Sequence, residues 1–308
     1  MFDNVNFWID RVNISGGRPI EILPYLSEVE ERKNDRYRCY VGRLKNYTVF
    51  VAEHGISLKG SLPKNYFGDN LHTLTRQDVK RSIDELGDCL HTDISPALVT
   101  RLDVSNILYT KRPPSDYYAY LGQKPYFERL QSTPDTLYYN NHQRQIIFYD
   151  KTKEATAKDV QIHEVLQSLN LLRYELRYTK RISKQLNTDL TAAKLYDTDF
   201  YRRVVQRWYD EFKTIQKLKK QGFMTNKINT VKDAEMALFA SFLQQSGQST
   251  IDEFLAELKA KGTFKERQRY SELKKRLNTI SSTFEYAEKS DMIQELETQA
   301  FDIARYAR

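Results

Sequence analysis

The sequence has few of the residues that mark disulfide frameworks, zinc sites or flexible linkers. Its two cysteines, Cys39 and Cys89, lie far apart without a C-x-x-C spacing, so neither a disulfide framework nor a zinc site is indicated. Its 308 residues include only 11 glycines and 8 prolines, too few for a low-complexity chain. We therefore expect a folded protein of about two domains that works in a reducing compartment, the cytoplasm.

Long apolar runs and several familiar active-site signatures are also missing. The chain has no apolar run of about 18 residues or more and no basic-then-apolar leader, which predicts a soluble protein made without an export signal and without a membrane partner. It has no GxxxxGK[ST], GxGxxG, HExxH or GxSxG string and no His-hydrophobic-His pair. Phosphate-loop, dinucleotide-binding, zincin and serine-hydrolase chemistry are thereby excluded.

Positive charge and aromatic side chains are abundant. The net charge is +7 and the pI is about 9.1, so a polyanion is the natural partner, and nucleic acid is favoured over a membrane. The 21 tyrosines and 15 phenylalanines supply core area and also stacking surfaces for unpaired bases. The aromatic content alone does not decide between these two uses.

Alternating apolar residues predict antiparallel strands in the first two thirds of the chain. One face of "NVNFWIDRV" is apolar, and "YRCYVGRL", "YTVFVAEH" and "ISLKG" follow as a meander. Thr75 is predicted to cap a helix over "RQDVKRSIDELGDCLHT". The next predicted strand, "ALVTRLDVSNIL", would carry one face made of Leu98, Thr100, Leu102 and Val104 and another made of Val99, Arg101, Asp103 and Ser105.

Three further strands complete the predicted sheet. The segment "TLYYNNHQRQIIFYDKTKE" is typical of a hairpin with "NNHQ" as its turn, and a last strand is predicted from about residue 172 to 179. Polar centres then fall on three strands, at Asp103, at Asp150, Lys151 and Glu154, and at Glu175. We predict an α+β domain over residues 1–188, an antiparallel sheet with helices on one face.

From about residue 190 the apolar period becomes helical. The segment "DTDFYRRVVQRWYDEFKTIQKLKK" is predicted to be one long basic helix that Gly222 ends. Four more helices are predicted in "TVKDAEMALFASFLQQSG", "STIDEFLAELKAKG", "FKERQRYSELKKRLNTIS" and "DMIQELETQAFDIARYAR". Residues 189–308 would therefore form a separate all-α domain.

Carboxylates on the predicted strands are the candidates for chemistry. A divalent metal that polarises a phosphodiester binds hard oxygen ligands and keeps positions open for phosphate. Asp103, Glu154 and Glu175 are candidate ligands, and Lys151 is a point charge that can meet a phosphate. The alternative is that these residues only form cross-strand ion pairs on a solvent-facing strand, which composition alone favours.

Three short strings occur in the order found in rolling-circle replication initiators: "TRLDVS" (100–105), "FYDKTKE" (148–154) and "LLRYELR" (171–177). The sequence resembles the gene II-type replication proteins of filamentous phages, together with the phage/plasmid II/X family and the Rep_trans plasmid initiators. The stretch "ISLKGSLPKNYFGDNLHTL", followed by a helix and "RLD", also resembles the gene II arrangement. The resemblance covers about residues 56–187.

The resemblance implies an endonuclease that needs Mg²⁺ or Mn²⁺ and nicks one strand at the origin of a phage, plasmid or mobile element. A tyrosine would stay joined to the 5′ phosphate, free a 3′ hydroxyl and allow later rejoining. By position, the resemblance implies that Asp103 and Glu175 bind the metal, with Glu154 as a third ligand and Lys151 at the phosphate or leaving group. The implied partners are single-stranded or supercoiled origin DNA and a host helicase.

The nucleophile departs from the family pattern, because the residue aligned with the family's tyrosine is Ile182. Tyr178 stands one helical turn earlier and is the first candidate. It is three residues from Glu175, so in an unbroken strand it faces the other way unless a bulge intervenes. Tyr196 and Tyr201 are the alternative nucleophiles. An ordinary structural role is the other interpretation of each tyrosine.

Basic residues near these motifs are candidate DNA contacts. The predicted long helix has an apolar stripe made of Phe200, Val204, Trp208 and Phe212. Its other faces are basic and include Lys213, Lys217, Lys219 and Lys220. A solvated basic helix is the alternative. The predicted DNA-binding residues are Arg101, Arg173, Arg177, Lys180, Arg181, Arg202, Arg203 and Arg207.

Three functions are compatible with these features. The first is the nicking enzyme that the resemblance implies. The second is a catalytically silent DNA-binding protein of the same fold, active in replication or copy control, which Ile182 favours. The third is an RNA-binding or scaffold protein that uses the aromatic residues of "SDYYAYLGQKPYF" for stacking.

Overall fold

The structure is a computed structural model that describes residues 1–33, 38–158, 160, 162, 164–218, 229–283 and 291–307. Within these residues ten strands form one antiparallel sheet in the order β2-β3-β4-β5-β1-β6-β10-β9-β8-β7. The strands are β1 (Phe2–Asp10), β2 (Ser27–Lys33), β3 (Arg38–Leu44), β4 (Tyr47–Ala52), β5 (Gly55–Ser61), β6 (Leu98–Thr110), β7 (Glu128–Thr133), β8 (Thr136–Asn140), β9 (Arg144–Asp150) and β10 (Asn170–Tyr178).

Helices follow and interrupt the strands. They are α1 (Leu62–Phe67), α2 (Arg76–Leu90), α3 (Pro114–Tyr118), α4 (Lys151–Thr156), α5 (Glu164–Gln167), α6 (Ile182–Leu186), α7 (Ala192–Leu195), α8 (Thr198–Lys213), α9 (Val231–Ala260), α10 (Arg267–Thr283) and α11 (Asp291–Tyr306). The predicted α+β class is confirmed. In the part of the chain that the structure describes, no helix is both long and apolar enough to cross a membrane.

Two amphipathic helices, α2 and α8, bury one side of the sheet. Thr75 begins α2 with a capping box, as predicted, because its hydroxyl accepts from the backbone N–H of Asp78 while the Asp78 carboxylate accepts from that of Thr75. The predicted stripe on α8 is buried in the same core. The rings of Phe148 and Tyr174 stack at 4.7 Å, and Trp208 lies 4.6 Å from Tyr174. We call this side of the sheet the helix face.

The chain divides into two compact units, Met1–Lys217 with Met292–Arg308, and Leu218–Asp291. The predicted boundary lay between residues 188 and 189. The unit that contains the sheet also includes α8 and α11, because their apolar residues, Trp208 and Leu296 among them, are buried in its core. The second unit contains α9 and α10, which share an apolar cluster of Leu243, Ile251, Leu255 and Leu277.

Two predicted helix ends differ from the structure. The long basic helix ends at Lys213 because Gln216 exchanges backbone hydrogen bonds with Gly122 and Gln123, both 2.8 Å long, which draw the chain out of the helix. Gly222, Lys219 and Lys220 lie outside the described residues. The two helices predicted between residues 230 and 262 are one continuous α9, whose apolar residues on both sides of residue 249 pack in the cluster of the second unit.

The faces predicted for the first residues of β6 are wrong. The register between β1 and β6 shifts where Asn6 pairs with Arg101 and Phe7 pairs with Val99, so Thr100 is an extra residue in β6. The extra residue reverses the alternation before Arg101. Val99 therefore faces the core, and Leu98 is 50% exposed on the opposite side.

Candidate active site

The side of the sheet opposite the helix face carries polar side chains at its centre, and we call it the polar face. Strand alternation brings Arg101, Asp103 and Ser105 of β6 to this side. In the neighbouring strand, Glu175 pairs with Ser105 and Arg177 pairs with Asp103. The sheet thus brings two of the predicted carboxylates, Asp103 and Glu175, next to each other.

Two arginines hold this carboxylate pair. Arg101 Nη2 lies 2.7 Å from Asp103 Oδ2, and Arg177 Nε lies 2.7 Å from Glu175 Oε1 and 3.8 Å from Asp103 Oδ2. The carboxylates are 0% and 1% exposed. The arginine side chains are 34% and 26% exposed. Arg177 therefore bridges the two carboxylates, while both guanidinium groups remain accessible to a phosphate.

The environment of Asp103 favours a proton or a cation. Burial and the negative charge of Glu175 raise the pKa of Asp103 to about 7, although the hydrogen bonds of Arg101 and the charge of Arg177 act in the opposite direction. A positive charge in addition to those of Arg101 and Arg177 would further relieve the repulsion between the two carboxylates. Mg²⁺ is commonly bound by one or two carboxylates together with substrate phosphates. The donor chemistry of Asp103 and Glu175 fits such an ion.

Glu154, predicted as a third ligand, does not join this pair. Asp150 ends β9 and caps α4, because its side chain accepts from the backbone N–H of Lys153, so Lys151 and Glu154 lie on a helix rather than a strand. Glu154 pairs with Lys151 at 2.5 Å and also with Lys158. Among the described residues, no group of three or more His, Cys, Asp or Glu side chains could hold a metal ion. The predicted three-carboxylate cluster is therefore not formed.

Arg173, predicted to contact DNA, is internal. It is 4% exposed, and its guanidinium donates to Asp3 Oδ2 at 2.6 Å, to Ser105 Oγ at 2.6 Å and to the Asn70 carbonyl oxygen at 2.7 Å. Because the guanidinium is buried among these partners, the side chain cannot also face a phosphate at the surface. Asn70 in turn accepts from Lys151 Nζ at 2.7 Å. Burial and the charge of Arg173 lower the pKa of Lys151.

Tyr178 lies on the helix face. Its strand pairs with β9 in continuous register from Leu172 to Tyr178, with no bulge between Glu175 and Tyr178. Tyr178 is therefore buried on the side opposite Glu175, and burial raises its pKa to about 12. Ile182, the residue aligned with the family's tyrosine, is buried in the first turn of α6.

The alternative tyrosines also lie away from the carboxylates. Tyr201 is buried, and its hydroxyl donates to the Leu74 carbonyl oxygen at 3.3 Å. Tyr196 follows α7 and is half-buried, with Lys80 of α2 5.7 Å from its ring centroid. Both residues belong to the helix side of the sheet.

Tyr149 of β9 is the tyrosine that the sequence interpretation missed. It pairs with Arg173 across the sheet, so it lies on the polar face, and its hydroxyl donates to Glu175 Oε2 at 3.4 Å. Tyr149 and Glu175 line a cavity of about 410 Å³, to which Tyr138 of β8 also contributes. Burial raises the pKa of Tyr149 well above its ordinary value, and the charge of Glu175 adds to this rise. Tyr149 lies inside the string "FYDKTKE", where strand alternation was the available signal.

The remaining predicted DNA contacts lie at the surface. Lys180 and Arg181 are exposed in the turn after β10, and Arg202 and Arg203 are exposed on α8. Arg207 is half-buried and donates to the Gln185 carbonyl oxygen at 2.8 Å. Because α8 packs on the helix face, its exposed arginines point away from the carboxylate pair.

The model of the Phage_CRI family, which describes the N-terminal part of the gene II-type replication-associated protein, matches residues 1–211. A search of curated proteins found no match. The matched range contains all the strands described above and the whole polar face, and it ends within α8.

Proposed function

The chain belongs to the Phage_CRI family of replication-associated proteins, and on this premise we propose that it nicks one DNA strand at a replication origin of a phage, plasmid or mobile element. One observation carries the proposal. A tyrosine hydroxyl, that of Tyr149, lies 3.4 Å from a carboxylate of the buried Asp103–Glu175 pair. A nucleophile beside a pair of carboxylates, one of which would also accept its proton, is the arrangement that such a reaction needs.

Tyr149 is the proposed nucleophile. Because burial raises its pKa, the hydroxyl is protonated at neutral pH, and its attack requires an acceptor such as the adjacent Glu175. The tyrosine oxygen would bond to phosphorus as its proton passes to Glu175 and the bond to the 3′ oxygen breaks. The 3′ oxygen would take up a proton from water, which leaves a 5′ phosphotyrosyl ester and a 3′ hydroxyl. Rejoining is the reverse attack by a 3′ hydroxyl.

Metal and cation roles complete the proposal. A Mg²⁺ or Mn²⁺ ion held by Asp103 and Glu175 would polarise the scissile phosphate. Lys151 lies two residues after Tyr149 but is 2% exposed and is held by Asn70 and Glu154. Its positive charge would therefore act on the phosphate at a distance rather than by direct contact. Arg101 and Arg177 are the proposed phosphate contacts, since both are partly exposed beside the carboxylates. A host helicase that unwinds the nicked duplex is a proposed partner.

The test is a nicking assay with purified protein, an origin-bearing supercoiled plasmid and Mn²⁺. We expect relaxed plasmid and a protein–DNA adduct that survives denaturation. Tyr149→Phe should abolish the adduct. Tyr178→Phe is the matched control, because it removes a buried hydroxyl from the opposite face, and it should retain activity.

Two results would change the conclusion. If Tyr149→Phe forms the adduct and Tyr138→Phe does not, the nucleophile is Tyr138, the other tyrosine of the cavity. If the wild type gives neither relaxed plasmid nor adduct at any salt concentration, the nicking proposal is wrong. Origin binding that weakens with salt but is indifferent to chelator would then indicate the DNA-binding or copy-control function, in which Tyr149 has no chemical role.

A further inference from the structure

The polar face extends beyond the carboxylate pair as a row of three apolar side chains and one serine. Phe50 of β4 pairs with Ser57 of β5, Ser57 pairs with Trp8 of β1, and Trp8 pairs with Leu98 of β6. Paired residues of antiparallel strands point to the same side, so the row crosses four strands. Phe50 and Trp8 are half-buried and Leu98 is 50% exposed. We call these four residues the aromatic row.

Gly55 leaves room for the Trp8 ring against the sheet. A Cβ atom at Gly55 would lie 2.7 Å from Cζ2 and 3.0 Å from Cη2 of Trp8. The indole therefore occupies the space that a side chain at this position would fill. One side of the ring packs on the backbone of β5, which leaves the other side for a flat ligand.

A basic row lies between the aromatic row and the carboxylates. This row contains one residue from each of the same four strands, paired from strand to strand: Thr48, Lys59, Asn6 and Arg101. Each lies two residues along its strand from a member of the aromatic row, except in β6, where the extra residue makes the separation three. Two residues of a strand span about 6.7 Å. Lys59 is exposed, and its Nζ lies 4.4 Å from the Phe50 ring centroid. Arg101 joins this row to Asp103.

The other end of the polar face is covered. Leu71, Ile107 and Leu171 form a small apolar cluster there, against which Ile162 and Leu166 pack. Ile107 and Leu171 belong to β6 and β10, on the side of the carboxylates away from Leu98. A nucleic-acid strand bound at the carboxylates would therefore extend along the polar face over the basic and aromatic rows, on the side away from this apolar cluster.

We propose that these two rows bind the single DNA strand next to the scissile phosphate, with bases stacked on Trp8 and Phe50 and phosphates beside Lys59 and Arg101. Single-strand binding sites combine cationic and aromatic side chains in this way, and a duplex cannot offer its base faces. The two rings are separated by two strand spacings, about 9.6 Å, so they would stack on bases that are not adjacent. The inference rests on the proposed function, which puts the scissile phosphate at Asp103 and Glu175.

Tryptophan fluorescence tests the proposal directly. The chain has two tryptophans, Trp8 and Trp208, and Trp208 is 0% exposed. In Tyr149→Phe protein with EDTA, which removes the chemistry, oligothymidylate of 15 nucleotides should quench the emission saturably at low salt. Adding Trp8→Phe leaves only Trp208, and the quenching should disappear.

Affinity measurements on variants give a second readout. Trp8→Leu and Phe50→Leu should each weaken binding of the labelled oligonucleotide by about 5- to 140-fold, because stacking contributes about 1–3 kcal/mol per base and 1.4 kcal/mol is tenfold. Tyr126→Ala is the control. Tyr126 is an exposed tyrosine, 97% accessible, outside both rows, and its loss should leave the affinity unchanged.

The outcomes separate this inference from the proposed function. Quenching without any adduct in the plasmid assay would support the binding surface and overturn nicking. Adduct formation without quenching would support nicking and overturn the surface. Tighter binding of oligouridylate than of oligothymidylate would overturn the assignment to DNA. Unchanged affinity in Trp8→Leu, combined with a lower mass in sedimentation, would make the row an interface between two copies of this chain.

Discussion

Replacing Asp103 by Asn should change how the stability of the metal-free protein depends on pH. Burial raises the pKa of Asp103 from 3.8 to about 7, so between these values the folded state holds a proton that the unfolded state has lost. This contribution to stability is fully present below pH 3.8 and is lost as the pH rises through 7. At 1.36 kcal/mol per unit, the wild type should lose about 3 kcal/mol between pH 5 and pH 8.

Asn at this position has no proton to release. The Asp103→Asn protein should therefore lack the fall, and its stability relative to the wild type should improve by about 3 kcal/mol between pH 5 and pH 8. Urea unfolding in EDTA, followed by tryptophan emission, measures this difference. Asp84→Asn is the control, because Asp84 is a partly exposed carboxylate on α2 that pairs with Lys80. If the free energies of unfolding of the wild type and of Asp103→Asn change in parallel with pH, the raised pKa of Asp103 is refuted. If Mn²⁺ fails to stabilise the wild type at pH 8, metal binding by the carboxylate pair is refuted.

Arg173→Met leaves Asp3 buried without its partner and should cost about 3–5 kcal/mol in urea unfolding; a loss within error of zero would contradict the buried pair. Gly55→Ala puts a Cβ 2.3 Å from the Ile9 carbonyl oxygen and 2.7 Å from the Trp8 ring, which should cost about 1–3 kcal/mol. It should also shift the Trp8 emission, and an unchanged spectrum would be inconsistent with this packing. Arg203→Ala should reduce the slope of log affinity against log salt for duplex DNA by about 0.9 if this exposed arginine contacts a phosphate, and an equal slope would exclude that contact.

Strand alternation in the sequence predicted eight of the ten described strands, all but the edge strands β2 and β7. Side chains two residues apart share a face in any regular strand, so alternation puts Arg101, Asp103 and Ser105 on one side. The position of Glu175 beside them follows from the pairing of β6 with β10, which alternation does not predict. The same rule failed before Arg101, because the extra residue Thr100 inverts the pattern. Nothing local in "ALVTRL" distinguishes the bulge from a regular strand, since it arises from pairing with β1, more than 90 residues earlier in the chain.

Charged residues were assigned less well than strands, since their roles depend on partners distant in sequence. Arg173 resembles a phosphate contact when only its neighbours are considered, but Asp3, 170 residues away, makes it an internal ion pair. Glu154 lies on α4 rather than on a strand because Asp150 caps that helix, a local signal that a capping pattern could have revealed. It lines the same cavity as Glu175 but pairs with Lys151 and Lys158. Tyr149 lies in the predicted strand of the string "FYDKTKE", where alternation assigns it to one face of that strand. The family pattern instead predicts the nucleophile in the segment after Glu175.

Arg101 contacts the carboxylate pair and also belongs to the basic row. Through this position, binding of the proposed metal ion and binding of the proposed DNA strand would be coupled. Its guanidinium compensates the charge of Asp103 at 2.7 Å. A DNA phosphate that draws Arg101 away leaves Asp103 beside Glu175 with less positive charge, which strengthens the attraction for a metal ion. By linkage, the metal must then strengthen DNA binding by the same factor. Mn²⁺ titrations of Tyr149→Phe protein, with and without oligothymidylate, measure this coupling, and equal Mn²⁺ affinities would show that Arg101 does not link the two sites.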